Sequence, residues 1–390
     1  MSTAAASLAA MRPALLRLFS ITGLVAVSSM YYHQAMLAVL ANELSIPPER
    51  VGWIPTATWS GYALGILLFV PLGDRLELRR ITLAKLACLA CALLAAATAP
   101  NYYVLIAASV FIGLFTSVVQ DIVPYGAHLA APEERTHVIA TISSGILLGN
   151  LLGRLAGGVV ADFVSWRATF ACAALGILIL WPVLRAKLPE RPPTSTLGYF
   201  ALVASILGLA RRYPALVRAS VTQMSLFAAY GALWATVARM FESDLGLAAS
   251  ATGLLGIPAS IGAFVLPQIA KMVPRYGKRP LMAVGIALTM LPFLAMGLFG
   301  VSLAGVIVAV MVMDIGLRFC LAPVQAIIFS LEPGAHSRIN TFYITTLFAG
   351  QSVGSFAASA AWLAGGWQAV CFTAAGITLV GAVVQTIWKD

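Results

Sequence analysis

Long apolar runs separated by short polar breaks make up almost the whole chain. Each run has about 18 to 25 residues, which is the length that an α-helix needs to cross a hydrocarbon core of about 30 Å. The apolar residues are continuous within the runs and do not alternate, which excludes a transmembrane β-barrel. The pattern predicts an all-α polytopic membrane protein with twelve transmembrane helices, at 17–40, 51–72, 81–99, 102–131, 137–160, 167–184, 217–240, 249–270, 280–298, 303–331, 339–362 and 368–388.

Composition supports this interpretation. Hydrophobic residues form 61% of the chain and charged residues 10%, whereas a soluble domain is about half apolar and a quarter charged. The net charge of +10 fits the excess of Lys and Arg that membrane proteins place in cytoplasmic loops, so we expect no nucleic-acid partner. The five cysteines lie within apolar runs, where we interpret them as packing residues and not as redox or metal sites.

A change in composition divides the chain into two halves. Residues 185–216 begin with charge and the sequence P-E-R-P-P and continue with a short apolar stretch that ends in two arginines. This predicts a cytoplasmic linker with an amphipathic surface helix. We therefore expect a cytoplasmic N-terminal tail at 1–16, a six-helix bundle at 17–184, the linker, and a second six-helix bundle at 217–390.

The basic residues fall mainly on one side of the predicted membrane. If both termini are cytoplasmic, 19 of the 24 Lys and Arg residues lie in cytoplasmic segments, Lys85 and Arg218 among them. Such a bias predicts cytoplasmic termini. No secretory signal peptide precedes the first run, and we expect a multi-pass protein of a cell membrane.

The two halves repeat each other at an offset of about 200 residues, which indicates an internal repeat. Gly149 corresponds to Gly350, and Trp166 corresponds to Trp367. Two six-helix bundles related by an axis along the membrane normal are one way in which transporters are built from such repeats.

The loop between the second and third predicted helices reads P-L-G-D-R-L-E-L-R-R over residues 71–80. It resembles the signature G-x-x-x-D-R-x-G-R-R of the major facilitator superfamily, with Leu78 where that family usually has Gly. In the family, the charged residues of this loop govern switching between outward-open and inward-open states. The resemblance implies gating roles for Asp74, Arg75, Arg79 and Arg80, to which we add Arg135 at the turn before the fifth helix. A charged turn that only sets topology is the alternative.

Glycines recur at close to four-residue spacing in the fifth predicted helix, at Gly145, Gly149, Gly153, Gly157 and Gly158. Small residues at this spacing allow two helices to approach closely. The stretch also resembles the antiporter motif of drug and metabolite exporters in the same superfamily, with Arg154 in the place of the usual Pro. With the Trp166-Arg167 start of the next helix, it resembles the arabinose-efflux-permease-like exporters of bacteria, which implies proton-coupled export.

Four charged residues lie away from the ends of the predicted spans, at Asp121, Arg154, Asp314 and Arg318. A charge in a span costs about 2.5 to 3.5 kcal/mol on insertion scales, so each is a candidate for the substrate or proton pathway. Helix lengths place both acids near the midplane, and the resemblance implies that their helices face the translocation path. We expect Arg154 to be the cationic partner of Asp121, which we hypothesise carries a proton. Asp314 and Arg318, four residues apart, can pair as a structural bridge.

Three further residues are candidates for the same pathway. His33 can titrate near neutral pH or can be a hydrogen-bonded structural residue at the cavity rim. Tyr230 and Trp234 can stack on a flat or cationic substrate or can simply pack. The four histidines of the chain have no ligand spacing, so we expect no metal and no cofactor.

These patterns predict a secondary active transporter in which two bundles rock about a midplane site. Proton-coupled efflux of a drug, sugar or metabolite is the leading hypothesis, and proton-coupled import of a small metabolite is the alternative. The chain has no G-x-x-x-x-G-K-[ST] motif and no nucleophile with a base, so we expect no enzymatic activity. We expect a monomer whose partners are a small-molecule substrate, protons and the lipid bilayer.

Overall fold

The computed structural model describes residues 13–47, 49–190, 198–332 and 335–387. In these residues the chain forms fifteen α-helices and no β-strand. The helices are α1 (Pro13–Ser28), α2 (Tyr32–Glu43), α3 (Trp53–Arg75), α4 (Leu78–Ala97), α5 (Tyr102–Thr116), α6 (Val119–Leu129), α7 (Arg135–Phe163), α8 (Trp166–Lys187), α9 (Tyr199–Arg212), α10 (Pro214–Leu245), α11 (Ala249–Leu254), α12 (Gly262–Tyr276), α13 (Lys278–Phe299), α14 (Leu303–Ile328) and α15 (His336–Ile387).

Eleven helical stretches of the described chain are long and apolar enough to cross a membrane. The last of them, α15, has 52 residues, about twice the number that one crossing requires. Its backbone leaves helical geometry at Gly365 and Gly366, and the positive φ of 60° at Gly366 is a conformation that favours glycine. Divided there, α15 crosses twice, which gives the twelve crossings that the apolar runs predict.

Three of the crossings are interrupted within the membrane. The interruptions lie at 29–31 between α1 and α2, at 117–118 between α5 and α6, and at 255–261 between α11 and α12. Irregular backbone at membrane depth is tolerated only where protein or water satisfies its polar groups. The first and third interruptions border the candidate site described below.

Each half of the chain has its own core. One buried apolar cluster draws nearly all its residues from 18–188, and the other draws its residues from 209–375. The crossings alternate in direction, so the beginning of α1 and the end of α15 share one face, called here the termini face. The loops that join α2 to α3 and α10 to α11 lie on the opposite face. Between the halves, α9 buries one apolar side against the bundles through Leu202, Ile206 and Leu209.

The glycine ridge of α7 lies directly against α1 and α2. A Cβ atom added to any of its four evenly spaced glycines would lie less than 3.0 Å from a backbone carbonyl oxygen. The pairs are Gly145 with Ser20, Gly149 with Leu24, Gly153 with Ser28 and Gly157 with Tyr32. Each successive contact lies four residues further along α7 and four residues further along the segment formed by α1 and α2, so the two backbones stay close along the whole ridge. In the second half, Gly350 and Gly354 lie in the same way against α10.

Candidate functional site

Arg154 is buried in the middle of the molecule, where the two halves meet. Its side chain extends from α7 in the first half toward α10 in the second, and the residue is 1% exposed. Nε donates a hydrogen bond to Oε1 of Gln34 (2.8 Å), and Nη2 donates to the hydroxyl oxygen of Tyr230 (2.9 Å). Nη1 donates to the side-chain oxygen of Asn150. One guanidinium therefore binds groups from both halves.

Aromatic rings cover this guanidinium. Cζ of Arg154 lies 4.1 Å from the ring centroid of Trp234 and 4.5 Å from that of Tyr31, which are cation–π distances. Tyr31 is in the interruption between α1 and α2, and Trp234 is in α10. Gly256, in the interruption between α11 and α12, lies directly beside Arg154, since a Cβ there would lie 3.4 Å from its Cβ and Cδ.

The charge of Arg154 has no carboxylate partner among the residues that the structure describes. Its hydrogen bonds all go to neutral oxygens. The expected pairing of Arg154 with Asp121 is wrong, because Asp121 is paired with Lys85. Nζ of Lys85 lies 2.6 Å from Oδ2 of Asp121, and each side chain is 3% exposed.

Lys85 is the functional candidate that the sequence pattern missed. The charge bias assigns it to the cytoplasmic side, because a lysine near the end of an apolar run can extend its amine to the surface. In the structure it lies in the second turn of α4 and is covered by protein, with Nζ 5.3 Å from the ring centroid of Phe69. Its position inside an apolar run was the available signal, but the acid that binds it comes from another helix.

Asp121 also lies nearer the termini face than its expected midplane position. A Cβ on Gly73, two residues before α3 ends, would lie 3.9 Å from Oδ1 of Asp121. The predicted helix continues to residue 131, whereas α6 ends at Leu129, so Asp121 lies closer to the end of its helix than the prediction places it.

Asp314 and Arg318 form the pair that their four-residue spacing predicts. Nη2 of Arg318 lies 3.1 Å from Oδ1 of Asp314, with side chains 23% and 1% exposed. The other carboxylate oxygen accepts a hydrogen bond from the backbone N–H of Gly262 (2.7 Å), where α12 begins. Gly256 lies in the interruption between α11 and α12, and Gly262 directly follows it, so Arg154 and the Asp314–Arg318 pair border the same irregular segment.

The remaining pathway candidates surround Arg154. Tyr230 and Trp234 lie edge to face, with ring centroids 6.0 Å apart. His33 is 3% exposed, and its ring centroid is 6.1 Å from that of Trp59. Nε2 of His33, Nε2 of Gln34 and Nε1 of Trp234 have no hydrogen-bond partner among the described residues. Within the described ranges of the chain, no three His, Cys, Asp or Glu side chains are grouped so that they could share a metal ion.

The candidate gating residues lie apart from this site, on the termini face. Nη2 of Arg79 donates to the carbonyl oxygen of Arg185 (2.6 Å), and Nη1 lies 3.4 Å from Oε1 of Glu190. Nε of Arg80 lies 2.5 Å from Oε2 of Glu77. The contacts of Arg79 join α4 to the end of α8, within the first half.

The other three members of the gating set are at the ends of helices. Arg75 is the last residue of α3, Arg135 is the first residue of α7, and both are exposed. Asp74 lies in the last turn of α3, and its side chain lies outside the described residues. The roles given to these residues stay predictions.

Leu78, at the position of the usual glycine of the loop signature, begins a helix and is buried. It is the first residue of α4, it is 5% exposed, and its Cδ1 would lie 3.3 Å from a Cβ on Gly73.

We predict that Leu78→Ala lowers the free energy of unfolding by about 2 to 4 kcal/mol, because it opens a cavity over Gly73. Leu94→Ala, at a position in the same helix that is 42% exposed, is the control and should cost less than about 1 kcal/mol. Equal losses of apparent Tm in the purified variants would contradict this explanation.

Polar contacts join the halves at the opposite face. The carboxylate of Asp162, at the end of α7, accepts hydrogen bonds from the backbone N–H groups of Ala249 (3.2 Å) and Ser250 (2.7 Å), where α11 begins. Nδ2 of Asn42 donates to Oε1 of Glu242 (2.8 Å). In this conformation these contacts hold the two bundles together at the opposite face.

Comparisons with known proteins identify relatives over nearly the whole chain. The family model described as Major Facilitator Superfamily matches residues 18–331. An uncharacterized transporter of Escherichia coli O157:H7, YgaY, is 31% identical over 373 residues, which are 95% of each chain. A probable sugar efflux transporter of Pasteurella multocida is 28% identical over 177 residues, 44% of each chain. The fold is similar to that of a bacterial homologue of the human lysosomal transporter Spinster in an inward-facing, occupied conformation, with a TM-score of 0.75, 13% identity and 96% coverage of both chains.

Proposed function

The chain belongs to the major facilitator superfamily, a family of transporters, and from this premise we propose that it exports a small molecule across the bacterial inner membrane in exchange for protons. The observation that carries the proposal is the position of Arg154 between the two halves. A charge in a membrane interior is costly and marks an ion or substrate pathway by default. Arg154 donates to Tyr230 of the other half, so a rocking motion of the bundles breaks or re-forms this bond.

The direction of transport is supported by the glycine ridge of α7. Its sequence resembles the antiporter motif, and the relative from Pasteurella multocida is named for sugar efflux. Proton-coupled import is the second candidate, since the same fold and the same buried acids serve it equally.

The orientation is supported by charge. Without the buried Lys85, 18 of the 24 Lys and Arg residues remain in segments that the sequence pattern assigns to the cytoplasmic side, so the positive-inside bias still favours cytoplasmic termini. We further propose that the protein works as a monomer, with a gating role for the charged loop between α3 and α4.

Among the buried acids, we assign the coupling proton to Asp314. Asp121 is a poor carrier, because protonating it would leave Lys85 buried beside a neutral group, and Lys85 is 3% exposed. Protonating Asp314 frees Arg318, whose side chain is 23% exposed and can turn toward water. The cost of separating the pair is therefore lower at Asp314.

The test is transport into proteoliposomes that contain the full chain, with a panel of labelled drugs, sugars and metabolites. An antiporter accumulates substrate when the lumen is more acidic than the bath, and a symporter does so when the bath is more acidic. We predict accumulation with an acidic lumen. Asp314→Asn should abolish this accumulation but keep exchange of substrate between the two sides, and Asp121→Asn should keep both per folded molecule.

Three results would change the proposal. Accumulation with an acidic bath would establish the importer. Transport that does not respond to a pH gradient would leave a uniporter. Gradient-driven accumulation by Asp314→Asn, together with its loss in Asp121→Asn, would move the proton to Asp121.

A further inference from the structure

Arg154 is a buried cation without an ion-pair partner among the described residues. Lys85 is paired with Asp121, and Arg318 is paired with Asp314. Arg154 is bound only to neutral oxygens and aromatic rings. Hydrogen bonds and ring contacts lower the cost of burying a cation, but an anion compensates the charge itself.

The groups around Arg154 favour an anion over the other substrate classes. The rings of Tyr31 and Trp234, which could otherwise hold a cationic substrate, already hold the guanidinium of Arg154 at 4.5 and 4.1 Å. A cationic substrate would have to displace this tethered cation and would meet its repulsion. A neutral substrate would leave the charge unbalanced.

Unpartnered donors lie beside the same guanidinium. Nε2 of Gln34 and Nε1 of Trp234 lack an acceptor among the described residues, and both residues are 0% exposed. Both side chains touch Arg154. Buried donors without partners cost free energy, and the oxygens of a carboxylate, sulfonate or phosphate can accept from several donors at once.

Tyr230 supplies the exchangeable position. Its hydroxyl belongs to the second half, whereas Gln34 and Asn150, which hold Nε and Nη1 of Arg154, belong to the first half. A motion of one bundle against the other removes the Tyr230 hydroxyl and leaves Nη2 in place. The vacated donor faces the seam between the bundles.

We propose that the substrate is an organic anion whose charged group binds the guanidinium of Arg154 in exchange with the Tyr230 hydroxyl. This inference rests on the proposed transport function and adds the substrate class. Because Arg presents a planar fork of donors, it favours planar oxyanions over point charges.

The experiment measures binding to the purified full chain, by tryptophan fluorescence and by thermal unfolding. The probes are matched sets of an anion with its neutral and cationic counterparts: benzoate, benzamide and benzylamine; hexanoate, hexanamide and hexylamine; glucose 6-phosphate and glucose. We expect at least one anion to bind at least about tenfold more tightly than its neutral counterpart, and Arg154→Gln to weaken that anion by about 10- to 100-fold. Arg154→Lys should recover part of the loss.

Two further variants separate binding from folding. Tyr230→Phe removes the competing hydroxyl and should tighten anion binding several-fold, which a purely structural role of Arg154 would not produce. Arg167→Gln, at an arginine 42% exposed on the opposite face, should bind the anion as the unaltered protein does.

Several outcomes would overturn the inference: no anion of the panel binds, a neutral or cationic counterpart binds as tightly, or folded Arg154→Gln keeps the anion preference. Failure of the transport proposal would be distinguishable. Anion binding without proton-driven transport would leave the inference in place and contradict the proton coupling. Gradient-driven transport of cations alone would support the proton coupling and contradict the anion inference.

Discussion

Asp121→Leu alone is expected to lower the free energy of unfolding by about 3 to 5 kcal/mol, because it leaves the ammonium group of Lys85 buried without its carboxylate. In the structure the two atoms are 2.6 Å apart and both side chains are 3% exposed. Removing both charges is expected to be far less harmful. The double variant Lys85→Met, Asp121→Leu should recover most of the loss, since buried ion pairs are often no more stabilising than apolar groups of similar volume.

The measurement is the apparent Tm of each purified variant in one detergent, together with the yield of monodisperse protein. The exposed pair of Arg167 and Glu43, with side chains 42% and 47% exposed, is the control. Arg167→Ala should change stability by less than about 1 kcal/mol. A double variant that is less stable than Asp121→Leu would show that the pair contributes net stability of its own.

Asp162→Ala is expected to shift the conformational equilibrium toward the state in which the opposite face is open. The carboxylate of Asp162 bridges the halves through the backbone N–H groups of Ala249 and Ser250. This bridge can form only while that face is closed. Hydrogen bonds to a charged group are worth about 1.5 to 3 kcal/mol, so its loss should change the ratio of the two states by about 10- to 100-fold.

The shift can be measured as the distance between spin labels at positions 164 and 244, which are exposed on the opposite face. The five native cysteines, three of which are exposed, are replaced first. Glu49→Ala, at an exposed acid on the same face, is the matched control and should keep the short distance. If Asp162→Ala also keeps it, the contact is not a latch between the halves.

Much of the fold could be predicted because it depends on one-dimensional patterns. Apolar runs of membrane length predict the crossings, since nothing but a helix satisfies an isolated backbone in lipid. Glycine spacing on α7 predicts a close helix contact, which the structure places against α1 and α2. The pairing of Asp314 with Arg318 follows in the same way, because residues four apart on a helix are neighbours.

The site could be predicted only in part. Charge inside apolar runs identifies Asp121 and Arg154, but not what they bind. The partner of Asp121 is Lys85, which lies on a different helix and 36 residues away in sequence. Gln34 and Tyr230, which bind Arg154, lie 120 and 76 residues from it. No spacing rule connects such residues.

The sequence by itself therefore determined how often the chain crosses the membrane, which helix carries the close-packing ridge and that Asp121, Arg154 and Asp314 are buried. Only the tertiary structure decided which of those charges are balanced. Periodicity follows from the geometry of one helix, whereas electrostatic pairing depends on which helices touch and at what depth. That difference is why the charge pattern places Lys85 at the surface. It is also why the lack of an ion-pair partner for Arg154 follows only from the packing of α1, α2, α7 and α10.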